Sequence, residues 1–165
     1  MQMTATNGAE RTIELARVFP PEAVVMGLDD TSKEAAIAGL VRRLVALERI
    51  PAQEEQNLVQ AILSREVLGT TALGNGVAFP HVRTKLTDRL VGALGLHRSG
   101  LDFDSLDGSP VYGVFLLLAP EIVTQEYFDV LGRIAAIGKD KSLRLQLRGC
   151  RSAETVHRFF QLLDA

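Results

Sequence analysis

Arg65-Glu66-Val67-Leu68-Gly69-Thr70-Thr71-Ala72-Leu73-Gly74-Asn75-Gly76-Val77-Ala78-Phe79-Pro80-His81 is the stretch around which the 165-residue chain organises. Asn75-Gly76 is a strong turn signal between Leu73 and the apolar run Val77 to Phe79, because these two residue types accept the backbone angles of a tight turn. The spacing predicts a tight hairpin that presents His81 just after it. Pro80 fixes its own φ and biases Phe79 toward an extended conformation, which limits the wandering of the histidine that follows.

Upstream, Val24, Val25, Met26 and Leu28 follow Pro20 and Pro21 and predict a short buried strand. Thr31 and Glu34 have capping-box spacing, and Ala35, Ala36, Leu40, Leu44 and Leu47 recur at helical intervals up to Glu48. Pro51 sits where a first helical turn tolerates it, with Glu54 and Glu55 suited to the helix dipole; Leu58, Ile62 and Leu63 continue a second helix to about Ser64. Downstream, Leu90 to His97 and Pro110 to Ala119 predict two strands separated by an Asp- and Gly-rich loop, Gly100 to Gly108. Phe128, Leu131, Ile134, Ala135 and Ile137 predict a helix from about Gln125 to Gly138, and Val156, Phe159, Phe160 and Leu163 another that closes the chain. Helices interleaved with strands imply an α/β fold: a single-domain sandwich with a mixed β-sheet flanked by helices. Residues 1–10 are polar and aperiodic and predict a flexible leader before a domain over 11–165.

Hydrophobic residues make up 47% and charged residues 23% of the chain, which is enough apolar material for a self-sufficient core. The formal net charge is -2 and no Lys/Arg run exceeds two residues, so the footprint of a general nucleic-acid binder is absent. The longest apolar stretch, Val114 to Ala119, is far short of the about 20 residues that cross a bilayer, so no membrane insertion is expected. The one cysteine, Cys150, has no disulfide partner in the chain, and a reducing cytoplasmic setting is expected.

The residue types of the quoted stretch suit a phosphoryl site. Thr70 and Thr71 offer hydroxyl donors, Gly74, Asn75 and Gly76 let backbone N–H groups approach an anion, and Arg65 can balance its charge. Imidazole titrates near neutrality, so a neutral nitrogen of His81 can attack phosphorus, and the resulting phosphohistidine can donate again. The same residues also read as a plain hairpin turn followed by a surface histidine, and residue chemistry leaves both readings open. A Gly-x-x-x-x-Gly-Lys-Ser/Thr run is absent, and Phe79 stands where a Gly-x-Gly-x-x-Gly pattern needs its last glycine.

Arg65 to His81 closely resembles the signature of the fructose/mannitol/nitrogen-type enzyme IIA domains of the bacterial phosphotransferase system: Arg-Glu, a spacer, Gly-Ser/Thr-Thr, Gly-Asn-Gly-x-Ala, an apolar residue and Pro-His. Leu101-Asp102-Phe103, Asp107-Gly108-Ser109-Pro110-Val111 and Leu116 to Pro120 extend the resemblance, which covers roughly Leu15 to Leu163. It implies the enzyme IIA fold, with His81 as phosphoacceptor and Arg65, Thr70, Thr71 and the Gly74-Asn75-Gly76 turn as phosphoryl-stabilising groups. It further implies loading by an HPr-like phosphocarrier, with phosphoenolpyruvate as ultimate donor, and onward transfer to an enzyme IIB. No cofactor is implied. Family members usually carry a second histidine beside the phosphoacceptor; here that position holds Tyr127, which can donate a hydrogen bond but cannot become cationic near neutral pH. The alternative is a non-transferring regulatory module, whose phosphorylation state controls a transporter or kinase partner.

His97, in an expected strand, and His157, on an expected helix, read as structural or surface residues, as does Cys150. Asp102, Asp104 and Asp107 are spaced too irregularly for a calcium loop and read as a solvated turn.

Overall fold

Val111–Pro120 (β5) is nearly all apolar because it lies inside a sheet covered on both faces. Its side chains alternate: Phe115, Leu117 and Ala119 enter one core cluster, whereas Val114, Leu116 and Leu118 enter the other. Val91–Leu101 (β4) runs antiparallel beside it and splits its residues the same way, Leu94 and Leu96 to the first cluster and Val91 and Ala93 to the second. The computed structural model describes residues 14–28 and 30–165, so the leader expected over residues 1–10 lies outside the described residues.

Val24–Val25 (β1) pairs parallel with β4, while Val77–Ala78 (β2) and His81–Thr84 (β3) pair parallel, one after the other, with β5. The five-stranded sheet is therefore mixed, as expected. Lys33–Ala46 (α2) and Glu55–Leu68 (α3) supply Ile37, Leu40, Leu44, Leu58 and Ile62 to one face. The short Leu15–Val18 (α1), Gln125–Lys139 (α4), Lys141–Gly149 (α5) and Ala153–Asp164 (α6) cover the other with Leu15, Val130, Ile134, Leu147, Val156 and Phe160. Phe19, after α1, is fully buried edge-on to Phe115 at 5.4 Å between centroids. It fills the space left by Gly92, where a Cβ would stand 2.4 Å from its ring.

Several sequence expectations change in detail. The cap of α2 is Ser32, whose hydroxyl accepts from the Ala35 N–H, not Thr31. Helix α3 continues past Ser64 to Leu68 and so carries Arg65 on its last turn. Strand β4 runs on through Gly100 to Leu101, with a break in register after Leu96, into what the sequence marks as loop. α1 and α5 were not foreseen. The expected hairpin is only a turn closed by a single bridge between Gly74 and Val77. Its upstream arm never joins the sheet, because Thr70 and Ala72 bond instead to the segment after β4, through the Phe103 carbonyl and the Leu106 N–H. The downstream arm becomes β2, and His81, which the sequence places just after the turn, opens the unforeseen strand β3.

Candidate functional site

β3 begins at His81 because the Pro80 carbonyl accepts the Leu117 N–H and leads the chain onto the edge of β5, with His81 opposite Leu117. The half-buried imidazole has Nδ1 2.8 Å from the Phe79 carbonyl oxygen. A carbonyl can only accept, so Nδ1–H donates and the lone pair resides on Nε2. Burial pushes the imidazole pKa below its ordinary 6.5; the Phe79 contact opposes this and the nearby Arg65 charge adds to it. The ring is thus neutral at pH 7, in one tautomer, with Nε2 as its nucleophilic nitrogen.

A cavity of about 710 Å³ lies against this ring, lined among others by Arg65, Arg83, Glu121, Tyr127 and Phe128. Arg65 reaches it from the end of α3, its Nη1 donating to the Gly69 carbonyl at 3.0 Å, a bond that steadies the guanidinium at the helix end. Tyr127 reaches it from the first turn of α4, ring centroid 6.0 Å from that of His81 and inclined by 63°. Burial raises the phenol's pKa, against the opposing pull of Arg83 and Arg65, so it stays a neutral donor at pH 7. Phe79 stacks beside His81 from the other direction, at 6.0 Å and 17°.

Three residues named from the sequence therefore meet at one cavity: His81, Arg65 and Tyr127. The others are placed elsewhere. The Thr70 hydroxyl donates to the Phe103 carbonyl, and the buried Thr71 hydroxyl donates to the Glu66 carboxylate, which also accepts the Thr71 N–H. Gly74, Asn75 and Gly76 form a left-handed turn with φ of 136°, 63° and 79°. Its Asn75 N–H is held by Asp107, and its Gly76 carbonyl accepts from Tyr112 and Gly113. None of these five residues lines the His81 cavity. Sequence reading missed Arg83 and the buried partner Glu66. Arg83 follows His81 by two, so a strand puts both on one face, but the strand itself was not foreseen. His97 donates Nε2–H to the Asp30 carbonyl, and Cys150 donates Sγ–H to the Gln146 carbonyl, with burial raising its thiol pKa.

The family profile described as phosphoenolpyruvate-dependent sugar phosphotransferase system, EIIA 2, matches residues 17–162. The chain belongs to this family. Its role in that system is that of a phosphoryl carrier. A nitrogen regulatory protein from Bradyrhizobium diazoefficiens is 36% identical over 145 residues, covering 88% of this chain and 93% of that one. The crystal structure of the nitrogen regulatory protein IIA-Ntr from Neisseria meningitidis superposes with a TM-score of 0.79 at 31% identity, over 88% of this chain and 97% of that one. The mannitol enzyme IIA of Escherichia coli, solved in complex with phosphorylated mannitol enzyme IIB, shares the fold at a TM-score of 0.69 and 22% identity, over 85% of this chain and 94% of that one. EIIA membership agrees with the sandwich observed here, and no described helix is long and apolar enough to cross a membrane.

Proposed function

We propose that His81 is the phosphoacceptor of this enzyme IIA and that Nε2 is the atom that carries the phosphoryl group. The observation behind this reading is the Nδ1–H to Phe79 carbonyl bond beside a cavity that also holds two arginines and a tyrosine. In the transfer, the Nε2 lone pair forms the new P–N bond as the bond from phosphorus to the donor's histidine breaks in line, its electron pair returning to the donor's imidazole. Nδ1 keeps its proton throughout, and the Phe79 carbonyl steadies the charge on the substituted ring. Arg65 and Arg83 offset the phosphoryl dianion, and the Tyr127 hydroxyl donates to one of its oxygens. No proton has to leave the nucleophile.

The donor is an HPr-like phosphocarrier and the acceptor an enzyme IIB; the second of these is supported by the mannitol enzyme IIA that shares this fold, which was solved with a phosphorylated enzyme IIB. Phe128, which lines the cavity, is 57% exposed and Ile122 nearby in sequence 82%, and such apolar side chains suit contact with visiting proteins. A second reading has its own support: relatives at 36% and 33% identity are named nitrogen regulatory proteins, so phosphorylation of His81 would set affinity for a regulated transporter or kinase. Loading the chain from phosphorylated HPr and then adding candidate IIB chains separates the two. Loss of label to a IIB supports the relay, retention supports regulation, and failure to load at all contradicts both.

A further inference from the structure

At the opposite end of β5 from His81 lies a second cavity of about 390 Å³, a volume within the range of small-molecule pockets. Tyr112, which lines it, precedes Leu117 by five residues along β5, a separation of roughly 16 Å at strand spacing. Arg98 enters the cavity from β4, Arg148 from the last turn of α5 and Arg151 from the link to α6. No aspartate or glutamate lines it, although the chain as a whole is net negative. Arg17, Arg42, Arg49 and Arg133 each face a carboxylate, but among the described residues Arg98, Arg148 and Arg151 form no ion pair.

Arg148 is further held in place, its Cζ 3.5 Å from the centroid of the Tyr112 ring. A guanidinium stacked this way has lost part of its freedom before any ligand arrives and still presents its N–H edges. Like charges brought together without a counter-charge repel, and an anion that bridges them removes that cost. Two further side chains in the cavity are already engaged: His97 donates to the Asp30 carbonyl and Cys150 to the Gln146 carbonyl.

We propose that Arg98, Arg148 and Arg151 form a second anion site, separate from the His81 cavity, for a small molecule that carries a diphosphate group. A phosphate monoester brings at most about two negative charges, so three guanidiniums match a diphosphate better than a monophosphate. Beyond the diphosphate, the remaining space accommodates further atoms, such as those of a nucleoside.

Calorimetric titration of the full chain with inorganic phosphate, pyrophosphate and ADP at low salt tests this. Saturable pyrophosphate binding at least tenfold tighter than phosphate is expected, reduced at least tenfold in the R98A/R148A/R151A variant and retained in R65A, which alters only the first cavity. ADP binding as tight as pyrophosphate assigns recognition to the diphosphate, and tighter binding gives the nucleoside a share; both support the site. Arg98→Ala alone, at an exposed position without a partner, gives the same direction of change should the triple variant fold poorly. No saturable binding, binding unaffected by either variant, or binding lost in R65A instead would overturn the proposal.

Discussion

The two ends of the Arg65 to His81 run and its middle do different work, although they form one continuous signature. Arg65 and His81 arrive at the same cavity from the end of a helix and the start of a strand. Thr70 to Gly76, which the sequence offers equally well as anion-binding groups, turns inward: its hydroxyls serve Phe103 and Glu66, and its glycines let the backbone pass Asp107 and Tyr112. A Cβ on Gly74 would meet Asp107 at 2.8 Å, and one on Gly76 would meet Tyr112 at 3.1 Å, at backbone angles that disfavour side chains. The middle of the motif thus fixes the distance between its ends.

That contrast can be broken by substitution. His81→Ala should abolish phosphorylation by a phosphocarrier while costing only about 1 kcal/mol of stability, since the ring is half-buried and its hydrogen bond to the Phe79 carbonyl is local; labelling that persists in this variant would place the acceptor elsewhere. Thr71→Val should behave the opposite way. It leaves the buried Glu66 carboxylate without its hydroxyl donor, so thermal or denaturant unfolding should report a loss of about 1–3 kcal/mol, with labelling per folded molecule kept. Equal stability with lost labelling would give Thr71 a direct role at the phosphoryl group.

The legible parts of the fold were those set by periodicity over long segments. α2, α4, β5 and α6 are strongly patterned, and each appears close to where its apolar spacing puts it. β3 was not legible because Val82 is its only aliphatic residue, and it is held by backbone pairing to β5 instead of by its own side chains. α5 was missed because its leucines alternate with polar residues and only Leu147 is buried. The site followed the same rule. His81 and Arg65 stood out by chemistry, and Tyr127 by its place in the resemblance, whereas Arg83 depended on an unforeseen strand. The inward bonds of Thr70 and Thr71 depended on tertiary partners, Phe103 and Glu66, whose positions no local spacing encodes.

A smaller effect sharpens the electrostatic side of the comparison. Burial lowers the His81 pKa, so protonation, which would consume the Nε2 lone pair, reaches its midpoint only below the ordinary value of 6.5. Titration of the ring by NMR should show a midpoint below 6.5, with the neutral, Nδ1–H form filling the range above it. A midpoint at or above 6.5 would mean that the ring is wetter, or its surroundings more negative, than its burial and the Arg65 charge imply.

The most direct measurement is the identity of the phosphorylated atom. Nitrogen-15 NMR of the chain after loading from a phosphorylated carrier distinguishes the two ring nitrogens by their shifts and by coupling to phosphorus. The geometry requires phosphorus on Nε2 of His81, with Nδ1 still protonated against the Phe79 carbonyl. Phosphorus on Nδ1, on His97 or on His157 would contradict it.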